Sequence, residues 1–326
     1  MKIDVKKGET GNRIDRTSDR IRVVFDTDTN NELDDQHALA YLLFNGDAFD
    51  LEGVTVNATY NGGGIDDHYR EAERILELCT LHPRIPLIKG ATGSFGEISD
   101  HIHAPQFDGS DGVDFIIERA LAPSNRRLVL LAVGKLTNIA LAYAKNPAIA
   151  QNATLVWLGS NYPQPGEYNQ DNDEEALNFL LDSDLPFEMV VVRYGNLSGT
   201  HAVRAELSEI RKRMPGLGPR TKEPVVGRHG IAFSTFGDYS VNLFEHVEYH
   251  GDGSPSRALY DMAAVAIVKN PNWAKSSRIP APILRESAWV ERPGNPRTIA
   301  VWEGFDKEAI LDDFYRSMEH YVLVEQ

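Results

Sequence analysis

An α/β fold built on a mostly parallel, Rossmann-like sheet with helices on both faces is predicted from three observations. Between residues 21 and 192, short β-branched apolar runs alternate regularly with amphipathic segments of helical period, the pattern of successive strand-helix-strand units joined by right-handed crossovers. One of these runs, LVLLAV at 128–133, is unbroken, as in strands buried on both faces. The polar, acidic and glycine-rich stretches fall after the strands, at the carboxyl edge where such sheets bind ligands.

The first strand is read at 21–25, where Ile21, Val23, Val24 and Phe25 have the composition of a buried strand. Ala38, Leu39, Ala40, Leu42 and Leu43 give the next helix its apolar face, with Asp34 and Asp35 in its first turn, where carboxylates complement the helix dipole. A second strand at 50–57 leads through YNGGG to a helix at 66–81, with Ala72, Ile75, Leu76 and Leu78 on its apolar side. A short strand at 86–89, a long polar loop through HIHAPQFDGSDG and a helix near 113–121 follow. Beyond the strand at 128–133, Gly134 ends the extended run and a helix begins at 136. A fifth strand is read at 154–158, a helix at 174–181 and a sixth strand, FEMVVV, at 187–192.

From about 198 to 256 the alternation degrades into a stretch rich in Gly, Pro and charge, including PGLGPRTKEPVVGRHG, with a helix near 205–213. It is read as a lid insertion over the same edge. Regular structure resumes with a helix at about 257–268, strands near 281–284 and 298–302, and a closing helix from 307 to about 322. The expected organisation is a polar N-terminal arm at 1–20 followed by a single α/β domain at 21–326.

The chain has 326 residues, 42% of them apolar and 25% charged, an ordinary globular balance. Its net charge of -15 argues against a nucleic-acid polymer or an anionic membrane as partner, since both select basic surfaces. A small neutral or cationic ligand fits better. Cys79 is the single cysteine, which excludes an intrachain disulfide and a thiolate metal cluster; it is expected to pack as a small apolar group. Residues 1–20 lack the apolar core of a secretion signal and no run is long enough to span a bilayer, so a cytoplasmic protein is expected unless an export signal has been removed.

Asp26, Asp28, Asp34 and Asp35 crowd DTDTNNELDD, between the first strand and the first helix. Carboxylates so close repel one another, and a hard cation with oxygen ligands relieves the repulsion. Helix-terminal charge explains Asp34 or Asp35 singly, not the set. An EF-hand loop shares the opening Asp-x-Asp-x-Asn but requires Gly at Asn31, Glu at His37 and a helix before it. A phosphatase of the haloacid dehalogenase type also places Asp-x-Asp after a first strand, but its usual Thr or Val is Asn30 here and it has no work for Asp34 and Asp35. The glycine run at 62–64 lacks the Lys-Ser/Thr ending of a P-loop.

DTDTNNELDD resembles the signature of the inosine-uridine nucleoside hydrolase family, in which the first strand ends in Asp-x-Asp followed shortly by Asp-Asp; two extra residues separate the pairs here. Three later segments are similar in the same order. VGKLTNIALA at 133–142 resembles the family's strand-turn-helix, GEYNQDNDEEA at 166–176 its sugar-binding loop, and YDMAAVA at 260–266 its late His-Asp-Pro stretch. The resemblance runs from Ile21 to the last helix. It implies cleavage of the bond between a nucleobase and ribose, with a calcium ion holding the attacking water and the ribose hydroxyls.

Carried over by position, the resemblance implies Asp28, Asp35 and Asp261 as carboxylate ligands of calcium and Val133 as a ligand through its backbone carbonyl. It implies Asp28 as the general base toward the attacking water. Asp34, Asn61, Glu167 and Asn169 match ribose-binding positions, with Asn57 the alternative to Asn61 and Asn161 a further contact to the sugar. His103, in HIHAPQ beside His101, resembles a residue of a loop next to the sugar. Read without the resemblance, Asp261 is a helix first-turn acid, Glu167 a helix cap and the two histidines ordinary surface residues.

Tyr260 is the main departure, standing where many members place the histidine that protonates the leaving base. A phenol near its normal pKa is a weaker acid for that task, though it donates a hydrogen bond or stacks. His229, His246 and His250 are the alternative acids in the lid, and Phe233, Phe236, Tyr239 and Phe244 the stacking partners. The expected function is calcium-dependent hydrolysis of a ribonucleoside to ribose and free base through an oxocarbenium-like transition state, with inversion at the anomeric carbon. A dehalogenase-type phosphohydrolase and a non-catalytic sugar- or nucleoside-binding protein are the alternatives. The expected partners are a small nucleoside and further copies of the chain, in a dimer or tetramer.

Overall fold

The computed structural model describes residues 20–249 and 253–324; the expected arm at 1–20, Arg20 apart, and His250 lie outside the described residues. The chain opens with β1 (Ile21–Thr27), α1 (Leu33–Leu43), β2 (Phe49–Val56), α2 (Ile65–Leu78) and β3 (Leu87–Lys89). Next come α3 (Phe95–Ile98), α4 (Ser110–Leu121), β4 (Leu128–Ala132), α5 (Thr137–Lys145), β5 (Ala153–Ser160), α6 (Tyr168–Asn172), α7 (Glu174–Leu181) and β6 (Phe187–Val191). The expected insertion contains β7 (Arg204–Glu206), α8 (Leu207–Arg213), β8 (Val225–Val226), β9 (Ala232–Phe233), α9 (Phe236–Glu245) and β10 (Ser256–Ala258). The last part holds α10 (Tyr260–Lys269), β11 (Lys275–Pro280), β12 (Ile283–Arg285), β13 (Ala288–Val290), β14 (Thr298–Glu303) and α11 (Lys307–Glu319).

Eight strands form one sheet in the order β11-β14-β6-β5-β4-β1-β2-β3. All neighbours are parallel except β11, which runs antiparallel to β14. The chain steps from β1 outward through β2 to β3, then returns to place β4 on the other side of β1. The strand order therefore reverses between β1 and β4, and the loops that follow these two strands part to open a crevice at their carboxyl ends.

Successive side chains of a strand face opposite ways, and β1 divides accordingly. Val23 and Phe25 join the core shared with α1, α2, α9, α10 and α11, whereas Val24 joins the one shared with α4, α5 and α7. Cys79 is fully buried in the first of these cores. Within the expected insertion, Phe236, Tyr239 and Phe244 of α9 are fully buried, and Phe236 and Phe244 meet the His37 ring of α1 edge-on. The late helix starts at Tyr260 rather than 257, because residues 256–258 pair antiparallel with β7.

Candidate functional site

The acidic stretch is split by the length of β1. The strand runs two residues beyond its apolar run, so Asp26 lies inside the sheet and not in the loop where the sequence reading placed it. Its carboxylate accepts hydrogen bonds from Thr55 Oγ1 at 2.6 Å, Asn57 Nδ2 at 2.8 Å and Asn138 Nδ2 at 2.7 Å. Burial nevertheless raises its pKa to about 6. Asp26 ties β1 to β2 and α5 beneath the crevice.

Asp28, Asp34, Asp35 and Asp261 remain, with Glu167, as buried carboxylates lining one cavity of about 270 Å³. Asp28 follows β1, and its Oδ2 accepts from Thr59 Oγ1, while its Oδ1 is buried with no hydrogen-bond partner. His68 Nδ1, 2.8 Å from the Asp28 carbonyl, packs against this turn from α2. Asp34 and Asp35 sit in the first turn of α1, and Thr27 Oγ1 donates to Asp35 Oδ1 at 2.6 Å. Asp261 occupies the first turn of α10. Oxygen atoms of Asp34, Asp35 and Asp261 lie within 4.8 Å of one another.

Burial is the largest cause of the raised pKa of every one of these carboxylates. It brings Asp28 to about 6, Asp34 to about 7 with the Glu32 charge adding, and Glu167 to about 8. Asp35 and Asp261 are raised as well, by burial and then by their acidic neighbours. Such a cluster without a cation in its midst is costly to ionise. The donor set fits a hard divalent cation: it is all oxygen, it includes the unpartnered Asp28 Oδ1, and a Cβ added at Gly134 would come within 3.0 Å of that atom. The other three-ligand grouping among the described residues, Glu73, Glu77 and His82, is engaged by Arg70, which pairs with both glutamates.

The opposite wall comes from the loops after β4 and β5. Asn169 Nδ2 donates to the Val133 carbonyl at 2.7 Å and to the Leu158 carbonyl at 3.2 Å, and its Oδ1 is buried and unpartnered. Glu167 caps α6 by accepting from the Gln170 N–H at 2.9 Å while it also lines the cavity. The expected helix at 174 is capped instead by Asp173. Asn61 reaches the cavity on an exposed loop, held by its N–H donating to Tyr168 Oη at 2.7 Å.

Tyr260 lines the cavity beside Asp34, and its hydroxyl lies 3.0 Å from His201 Nδ1. Burial first and the Asp34 charge second push its pKa up. Tyr194 packs edge-on to both rings. Arg257, also in the lining, forms an ion pair with Glu32.

Two expected sugar contacts lie elsewhere. His103 is exposed and outside the cavity lining. Asn161 is spent on its own loop, donating from Nδ2 to the Pro165 carbonyl and accepting from the Tyr194 N–H at Oδ1. Phe236, Tyr239 and Phe244 are core residues and not stacking partners. His229 and His246 line a second, adjoining cavity of about 310 Å³, which shares Asn31, Glu32 and Arg257 with the first. The larger cavity lacks the carboxylate cluster, so the chemistry is placed in the smaller. The sequence reading missed Thr27, Thr59, Tyr168, Tyr194, His201 and Arg257. Only Arg257 carried a signal, through its place just before YDMAAVA.

Comparison with known proteins matches residues 23–312 to the family model described as inosine-uridine preferring nucleoside hydrolase. An inosine-uridine preferring nucleoside hydrolase of Leishmania major is 28% identical over 242 residues, covering 68% of this chain and 69% of its own. Among solved structures, a plant nucleoside hydrolase superposes with a TM-score of 0.70 at 16% identity, covering 92% of this chain and 99% of its own. A purine-preferring ribonucleoside hydrolase from Gardnerella vaginalis gives 0.69 at 19% identity, covering 91% and 98%. Both share the fold.

Proposed function

The chain belongs to the inosine-uridine preferring nucleoside hydrolase family, a family of hydrolases acting on N-glycosyl compounds, and on that premise we propose that it hydrolyses the N-glycosidic bond of a ribonucleoside with a calcium ion as cofactor. The observation that carries the reading is the convergence of Asp28, Asp34, Asp35 and Asp261 on one cavity, with Asp28 Oδ1 buried and unpartnered. Asp28, Asp35, Asp261 and the Val133 carbonyl would hold the cation. When bound, calcium would lower the pKa of water in the site and draw in the ribose diol.

The residues of the chain do the remaining work. Asp28, fixed through Oδ2 by Thr59, accepts a proton at Oδ1 from the attacking water. Asp34 accepts from a ribose hydroxyl, and Glu167 and the Asn169 amide oxygen accept from others. Their negative charge and dipoles stabilise the positive charge that develops on the ribose in the transition state. The Tyr260 hydroxyl faces the leaving-group side, with His201 behind it. A phosphate ester fits less well, since Arg257 is the only cationic side chain lining this cavity among the described residues and Glu32 already neutralises it.

The test is release of reducing sugar from a panel of purine and pyrimidine ribonucleosides by the calcium-loaded protein, beside release of phosphate from an aryl phosphate. Sugar without phosphate supports the reading. Phosphate without sugar assigns the site to a phosphohydrolase.

A further inference from the structure

The second cavity has a chemistry opposite to the first. Arg228 lines it, half-buried, and forms no ion pair with a carboxylate among the described residues; one guanidinium nitrogen donates to the Asn30 carbonyl at 3.0 Å. His229 and His246 stack there with ring centroids 4.2 Å apart. Both are anchored by one residue: His229 Nδ1 lies 2.9 Å from Asn242 Oδ1 and His246 Nδ1 2.8 Å from the Asn242 carbonyl. An acceptor opposite each Nδ1 fixes the proton there, so each Nε2 of the neutral rings is a hydrogen-bond acceptor. Of the two acids in the lining, Glu32 is ion-paired to Arg257, and Glu248 is exposed to solvent. In a chain of net charge -15, a guanidinium at a cavity wall with no carboxylate partner among the described residues is a site for an anion.

The two cavities meet at Asn31, Glu32 and Arg257, on the side of the carboxylate site that also carries Tyr260. We infer that a ribose seated among the carboxylates directs its aglycone across that shared wall into the larger cavity, and that Arg228 there selects a leaving group bearing a carboxylate. This rests on the ribohydrolase reading above and narrows its substrate class. The planar two-oxygen acceptor matches the guanidinium fork, which a carboxamide of the same shape does not.

Nicotinic acid riboside and nicotinamide riboside form a matched pair for the test. Both leave as pyridines without needing a proton, so the comparison is blind to the acid at Tyr260. The carboxylate makes the ring nitrogen more basic and the leaving group intrinsically poorer, so a preference for the acid reports recognition. With the calcium-loaded protein, kcat/KM for the acid is expected to exceed that for the amide at least about tenfold, the scale of one charge-assisted hydrogen bond. Arg228→Gln is expected to bring the ratio to about one or below, and Arg228→Lys, which keeps charge without the fork, to an intermediate value. Calorimetric binding of free nicotinate against free nicotinamide should show the same order and the same loss in Arg228→Gln. A wild-type ratio at or below one, or a ratio that Arg228→Gln leaves unchanged, overturns the inference while turnover of other ribosides keeps the hydrolase reading intact. If no riboside is cleaved, the hydrolase reading fails, and the nicotinate calorimetry alone decides whether the anion site stands.

Discussion

The Tyr260 hydroxyl and His201 Nδ1 lie 3.0 Å apart, and they join the start of α10 to a turn 59 residues earlier in sequence. The pair stands beside Asp34 at the cavity wall, where a leaving base departs in the proposed reaction. Burial holds the phenol proton more tightly than usual and disfavours a charged His201, so this pair is a weak acid for a leaving group that needs a proton. p-Nitrophenyl riboside, which needs none, is expected to be cleaved roughly 10²-fold or more faster than inosine or uridine. Tyr260→Phe should widen that ratio by about tenfold, and His201→Phe should widen it less. Equal losses on both kinds of substrate would assign the pair to sugar positioning instead.

Metal content gives a second prediction. The purified protein is expected to carry about one calcium per chain, since the carboxylates form one ligand set. At a free concentration about a thousandfold above Kd, calcium adds about 4 kcal/mol, on the order of 5–10 °C in Tm for a chain of this size. Thermal melts with calcium and with a chelator check the shift; identical melts would remove the metal from the account.

The same carboxylates set a pH dependence on the chelated protein. Asp28, Asp34 and Glu167 have folded-state pKa values of about 6, about 7 and about 8, above their unfolded values near 4. The folded state thus binds more protons, and the stability this gives is complete below about pH 4 and is lost as pH rises through 6 to 8. Chelated protein is expected to melt at a lower temperature at pH 8 than at pH 5.5, and calcium to restore the loss at pH 8. A chelated Tm that rises over this interval would contradict the shifts.

Asn169 tests sugar binding. Its amide nitrogen holds the Val133 carbonyl at 2.7 Å and its oxygen is free. Asn169→Ala is expected to raise KM about tenfold, the scale of one or two lost hydrogen bonds, with a smaller fall in kcat. Steady-state kinetics on a cleaved nucleoside separate the two, and a fall confined to kcat would move Asn169 from binding to the transition state.

The parallel sheet was legible because its central strands are buried on both faces and read as apolar runs. The run at 128–133 has no polar interruption, Ile21 to Phe25 has only Arg22, and helices such as α2 keep a 3.6-residue apolar spacing. β11 was not legible, since KSSRIP is largely exposed and pairs only along an edge, which leaves no hydrophobic alternation to read. α9 carries apolar residues at helical spacing, but Gly237 and Asp238 in its first turn, after a glycine-rich stretch, hid them. The carboxylates were legible because Asp34-Asp35 and the Tyr-Asp segment sit at helix starts and Asp28 directly follows the first strand. The depth of Asp26 was not, because its three amide and hydroxyl partners come from β2, the loop after it and α5. His201 was invisible for the same reason: no spacing rule links it to Tyr260, and only the fold brings them together.

Sugar release from inosine and uridine by the calcium-loaded protein, measured beside Asp28→Asn, tests the assignment of the carboxylate cavity most directly. The wild-type protein is expected to give equimolar ribose and free base, and Asp28→Asn, which loses both the base and a charged ligand, to turn over at least about 10³-fold more slowly. No reducing sugar from either nucleoside or from any other riboside, or a near-normal kcat in Asp28→Asn, would contradict it.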